Sequence, residues 1–196
     1  MKPQQERARR TRRAILEAAM QRFGTDGYRG TSIASIAADA GMTDAGLLYH
    51  FPTKEALLFA VLVEHDAREQ RTIDALTADP GDLVQKLREW GRHMEEVAAF
   101  TSLQAILSAE HMLDNSRING YFRQRYEVVL QWLTDTFDSA KSQGQIATST
   151  NTRSEAEVLL SVMDGARMLY FYTDGKVSIA DVLRKHVDDM FSRIGS

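Results

Sequence analysis

Three residues constrain this chain more than any others: Ala37, Gly41 and Leu47. Two short helices that cross closely need a small residue at the crossing, and Ala37 supplies it. Shortly after, the chain must reverse, and the left-handed backbone of such a turn costs glycine least. Gly41 sits at that place. The following helix then needs an apolar anchor, and Leu47 provides it. Ile36, Ala40 and Met42 fill the remaining inward positions, Thr31 or Ser32 caps the first of the two helices, and Thr43 caps the second. The pattern predicts a helix-turn-helix over residues 31–51. Its second helix, over residues 43–49, ends at the aromatic pair Tyr49 and His50. A plain helical hairpin inside a bundle has the same apolar needs but no use for those two exposed rings.

A helix-turn-helix lays its second helix in the major groove of DNA. A net charge of −3 over 196 residues argues against such a partner. The charge is divided unevenly, however. Residues 1–54 carry nine Lys and Arg against five acids, while the rest carries 15 against 22. Phosphate binding needs local positive charge rather than a basic whole protein. Tyr49 and His50 can donate hydrogen bonds to phosphate, and Lys54 adds charge beside the positive end of a helix. Arg9, Arg10, Arg12 and Arg13 are placed to reach the DNA backbone or the adjacent minor groove.

The remaining sequence reads as helical, with no alternating strand pattern. The expected fold class is all-α: an N-terminal three-helix domain over residues 1–52 and a C-terminal helical bundle over residues 53–196, about nine helices in all. The first helix is expected over residues 5–23, with Gly24 and Gly27 marking its end. The second stops near Asp39, and a long fourth helix opens at Pro52-Thr53-Lys54-Glu55 and runs to about Leu76. Asp79-Pro80-Gly81-Asp82 opens a helix to about Ala99, and another covers residues 101–113 before the break at Asp114-Asn115-Ser116. Further helices are expected over residues 117–143, 153–172 and 178–194, with residues 147–152 as the clearest loop.

Several chemistries find no support. There is no cysteine, and the five histidines, His50, His65, His93, His111 and His186, are scattered without metal-ligand spacing. No phosphate-binding glycine loop, dinucleotide fingerprint or nucleophile elbow is present. The sequence therefore predicts no metal, no cofactor and no enzyme. The N-terminus lacks the apolar run of a signal peptide and no stretch reads as a membrane span, so the expectation is a soluble cytoplasmic protein without a membrane partner.

Residues from about 9 to 60 resemble the DNA-binding domain of the tetracycline-repressor (TetR) family. The matching stretches are Ile15-Leu16-Glu17-Ala18-Ala19, Phe23, Gly27-Tyr28, Thr31-Ser32-Ile33, Ile36-Ala37, Ala40-Gly41-Met42-Thr43 and Leu48-Tyr49-His50-Phe51-Pro52-Thr53-Lys54-Glu55-Ala56-Leu57. The resemblance implies a homodimeric transcriptional repressor, bound to a double-stranded DNA operator and released by a small-molecule effector. It implies that Thr43, Ala45 and Gly46 face base edges or approach the DNA backbone, that Tyr49 and His50 contact phosphates or bases, and that Lys54 contacts phosphate. Thr31, Ser32 and Asp44 complete the candidate DNA-facing set. Asp44 stands where many members carry Lys or Arg; it accepts from a cytosine amino group or simply caps. With Ala45-Gly46 beside it, little side chain enters the groove, which points to DNA shape or to residues outside the helix for selectivity. The alternative is a helical small-molecule binder or enzyme that has lost specific DNA binding.

Residues 158–172 are apolar nearly all round and predict a helix buried on most sides. Ile179, Val182, Leu183, Val187, Met190, Phe191 and Ile194 form a cleaner stripe that also needs cover. A two-fold interface built from these two helices would cover both. Family analogy adds an effector pocket in the bundle, with Trp90, Met94, His111, Met112, Phe122, Tyr126, Met163, Arg167 and Tyr170 as candidate lining. Asp164 and Arg167, three apart, either pair with each other or meet groups across a dimer; an anionic effector is the further alternative for Arg167.

Overall fold

The computed structural model describes residues 3–77, 82–113 and 116–195. The helix start expected at Asp79-Pro80-Gly81 and the break expected at Asp114-Asn115 lie outside the described residues. Among the described residues there are nine helices: α1 Pro3–Gly30, α2 Ile33–Asp39, α3 Asp44–His50, α4 Lys54–Thr77, α5 Leu83–Glu96, α6 Ala98–Glu110, α7 Arg117–Ser142, α8 Thr152–Tyr172 and α9 Ile179–Ile194. The all-α expectation is met. The chain forms two compact units, residues 1–71 and 72–196. The division falls inside α4, later than the 52/53 boundary expected from the sequence. In α4, Leu57, Leu58, Val61 and Leu62 are fully buried. Among the described residues, no single helix is long and apolar enough to cross a membrane.

The first unit is built on a core of Ile15, Ala19, Phe23, Ile36, Ala37, Leu47 and the α4 leucines, all fully buried. The helical spacing of Ile15, Ala19 and Phe23 places them on one face of α1, as the sequence predicts. That helix does not stop at Gly24. A lone glycine costs a helix interior only about 1 kcal/mol, and Thr25 Oγ1 donates back to the Gln21 carbonyl at 3.1 Å. The break comes at Gly27, whose backbone leaves the helical region (φ 72°, ψ 168°).

Between α2 and α3 the chain reverses at Gly41, with φ +67°. A Cβ there would meet nothing within 4 Å, so the cost of a side chain is the backbone itself. Gly41→Ala is expected to destabilise the unit by about 1–2 kcal/mol, read as a shift of the denaturation midpoint with unchanged slope.

The second unit packs α5, α7, α8 and α9 around Leu87, Trp90, Met94, Leu133, Phe137, Leu159, Met163, Leu183, Val187 and Met190. This corrects one expectation. The α9 stripe is covered inside the protomer: Ile179, Leu183, Val187, Met190 and Ile194 are buried in this cluster, with Val182 and Phe191 packed at its margin. Helix α8 departs from expectation in the opposite sense. Only part of it is buried, and Val158, Met168, Leu169, Phe171 and Tyr172 are exposed.

Two boundaries differ from the sequence reading. The chain leaves helical geometry at Val97, between α5 and α6, where no glycine or proline signals it. Helix α6 ends at Glu110, and its last turn is tied down by Asn119, whose Nδ2 donates to the His111 and Met112 carbonyls at 2.7 and 3.1 Å. The loop after α7 is fastened by Ala147 N donating to the Ile194 carbonyl at 2.8 Å.

Candidate nucleic-acid interface

Helices α2 and α3 owe their geometry to their caps. Ser32, in extended backbone, accepts from Ser35 N, and the Ser35 side chain accepts from Ser32 N. This reciprocal capping box satisfies two donors that a short helix would otherwise leave open. Thr43 caps α3 with a single bond, its Oγ1 accepting from Gly46 N at 3.2 Å. The hydroxyl of Thr53 accepts from Ala56 N at the head of α4. Each cap fixes the start of a helix and so the angle at which its outer face is presented.

Leu47 is fully buried and Ile36 and Ala37 with it, while Ala40 and Met42 are half-buried. That leaves the opposite face of α3 open. Thr43, Asp44 and Ala45 are exposed, Gly46 and His50 half-buried, and Tyr49 is 86% exposed. An 86% exposed tyrosine on a seven-residue helix is not there for packing. Its ring meets the His50 ring edge-on, at 5.5 Å between centroids. Thr31 differs from the rest of the predicted set. It is buried, and its hydroxyl lies 2.7 Å from the Gly27 carbonyl and 3.1 Å from that of Arg22. Its side chain completes the end of α1, whereas Ser32 remains exposed.

A feature absent from the sequence reading holds α2 against α1. Arg22 Nε and Nη2 donate to the two oxygens of Asp39 at 2.5 and 3.0 Å, and Nη1 reaches Asp26 at 3.2 Å. The two-pronged geometry matches guanidinium to carboxylate. The hydrogen bond from Arg22 holds the Asp39 carboxyl below its ordinary range. A carboxyl whose folded pKa is depressed contributes stability above the unfolded value and loses it as pH falls through the folded one. Melting of the native protein and of Arg22→Ala is therefore expected to differ at pH 7 and to converge as the pH is lowered below about 4.

Residues 15–61 match the profile of the bacterial regulatory proteins of the tetR family. Over this stretch the chain is similar to the DNA-binding domain of the TetR family. The RutR transcriptional regulator of Escherichia coli is 49% identical over 51 residues, which span 26% of this chain and 24% of that protein. This match thus covers about a quarter of the relative. The regulator YvkB of Bacillus subtilis is 28% identical over 158 residues, covering 80% of this chain and 81% of that one. Among solved structures, a protein of Saccharomonospora viridis in complex with choline superposes with a TM-score of 0.82 at 23% identity, over 94% of this chain and 97% of the other. That likeness shows that the two chains share a fold over that length.

The predicted pocket residues do not form one group. Trp90, Met94 and Met163 are buried in the core of the second unit, with Tyr170 packed on its margin. Trp90 meets Trp132 edge-on at 5.4 Å. Phe122 is buried on α7. Met112 is 63% exposed and Tyr126 is on the surface. His111 is half-buried, with its Nδ1 3.3 Å from Ser116 Oγ. Arg167 is buried and paired with Asp164, and burial lowers its guanidinium to about 10. Among the buried polar groups that the sequence did not point to, one has an amide without a partner. Gln104 on α6 is 2% exposed, and neither end of its amide makes a hydrogen bond within the described protein. Its only sequence signal was a polar residue among the apolar positions of α6.

Proposed function

We propose that the chain is a ligand-responsive, DNA-binding transcriptional regulator, acting as a homodimeric repressor that a small molecule releases from its operator. The observation that carries the reading is the open face of α3. A helix anchored by Leu47 presents Tyr49 outward, with His50 and Lys54 beside it. In this reading Thr43, Asp44, Ala45 and Gly46 line the groove, Ser32, Tyr49, His50 and Lys54 anchor the backbone, and Asp44 accepts from a base amino group or caps α3. Phosphate contacts of this kind fix register, and the small groove-facing residues leave sequence selection largely to DNA shape.

The exposed apolar face of α8 supports the dimer. Val158, Met168, Leu169, Phe171 and Tyr172 recur at helical spacing on one helix, and a second copy related by a two-fold axis covers them. Such a dimer carries two recognition helices, suited to half-sites about 34–36 Å apart. The choline complex of the S. viridis protein supports a small-molecule effector, and the buried Gln104 amide is a polar group available to one. An effector releases DNA only by binding the DNA-incompetent state more tightly. The named relatives are transcriptional regulators, which supports a non-enzymatic cytoplasmic role. The test is retention of a duplex containing the gene's own upstream DNA, against scrambled duplex, over a salt series. The reading requires selective, salt-dependent binding; unselective weak binding together with turnover of a small molecule would favour the enzyme alternative.

A further inference from the structure

Two basic side chains of the first unit rest on aromatic rings. The Lys54 ammonium lies 4.4 Å from the centroid of the Tyr28 ring, and the Arg12 guanidinium lies 4.5 Å from that of Phe51. Both distances fall within the range at which a ring quadrupole attracts a cation. Both pairs converge on one place. Phe51 is the C-cap of α3, and Lys54 is the first residue of α4, so the two cations stand at the α3–α4 turn, just past Tyr49 and His50.

We infer that Tyr28 and Phe51 are positioning residues, which hold Lys54 and Arg12 ready for DNA phosphates at the end of the recognition helix. The inference rests on the DNA-binding reading above and adds residues to it. Lysine and arginine carry long flexible chains, and ordering one on binding costs rotamer entropy. A cation already parked on a ring has met part of that cost before DNA arrives. The ring leaves the charge intact, unlike a carboxylate, which would neutralise it and compete with phosphate. The setting fits this role. Phe51 is 3% exposed, so its ring does not wander, and it caps the helix whose DNA contacts it serves. Tyr28 is braced by Phe23, a fully buried core residue, at 5.6 Å between ring centroids. Partial burial also lowers the Lys54 pKa, meaning that its ammonium has shed some water and gains more from an incoming phosphate.

The test uses the full-length protein and its own upstream duplex, with affinity measured by fluorescence polarisation over a potassium chloride series. Lys54→Ala is expected to reduce the salt slope by about 1, the loss of one phosphate contact. Tyr28→Leu is expected to reduce the slope in the same direction and Tyr28→Phe to leave it unchanged, because the ring rather than the hydroxyl faces the ammonium. In the Lys54→Ala background, Tyr28→Leu is expected to cost nothing further. Arg12→Ala and Phe51→Leu are expected to behave likewise as a non-additive pair. Tyr28→Met, which keeps bulk without a ring, is measured beside Tyr28→Leu, each well below its own melting temperature. A native salt slope in both ring-less variants, or a Tyr28 penalty that adds in full to that of Lys54→Ala, would overturn the inference while leaving the DNA-binding reading intact. Absence of selective binding by the native protein would overturn that reading itself.

Discussion

Leu47→Ala is expected to destabilise the first unit by about 2–5 kcal/mol, the range for truncating a buried leucine, and to abolish operator binding. Leu47 is the one fully buried residue of α3. It therefore links a seven-residue helix to the core, and no helix that short stands alone in water. Tyr49→Ala supplies the contrast. That side chain is 86% exposed, so its removal is expected to change stability by less than about 0.5 kcal/mol while weakening DNA binding. Denaturation midpoints and duplex titrations of the two variants separate anchoring from contact. Equal stability losses would show that α3 is held by more than its single buried leucine.

If the chain is the homodimer proposed above, Leu169→Glu is expected to make it a monomer and to lower operator affinity by about 10²-fold or more, the gain that linking two binding modules provides. Leu169 is 51% exposed on α8, so a carboxylate there is tolerated by the isolated chain but unpaired and desolvated in a two-fold interface. Sedimentation of the native protein and the variant at equal concentration, followed by duplex titration, checks both parts. A variant that remains dimeric would move the interface away from this face of α8. The equivalent change on the buried α9 stripe, such as Val187→Glu, would unfold the second unit and report nothing about association.

The helix-turn-helix was legible because its determinants are local. A small residue, a glycine and an apolar anchor at short separations restrict the backbone directly, and the structure places Ala37 in the core, Gly41 at positive φ and Leu47 at full burial. Caps are local too, although here the capping box pairs Ser32 with Ser35 where a glutamate or glutamine is the usual signature. The α5–α6 break, expected near residues 99–101, falls at Val97, because no glycine or proline there fixes its place.

Thr31 shows the limit of reading by position. As a threonine ahead of a helix it suits either a cap or a DNA contact, and only the fold shows its hydroxyl turned toward the α1 carbonyls. The same limit applies to the bundle. An amphipathic stripe shows that a face must be covered, but not by what. The α9 stripe is covered within the protomer, whereas the more apolar α8 keeps an open face.

The sequence by itself determined the all-α class, the turn at Gly41, the orientation of α3 and the concentration of positive charge in its first quarter, since each depends on neighbours within a few residues. Only the tertiary structure decided that Arg22 clamps Asp39, that Tyr28 and Phe51 carry Lys54 and Arg12, and that α8 rather than α9 faces outward. Those contacts join residues distant along the chain, and their partners are chosen by how the helices pack.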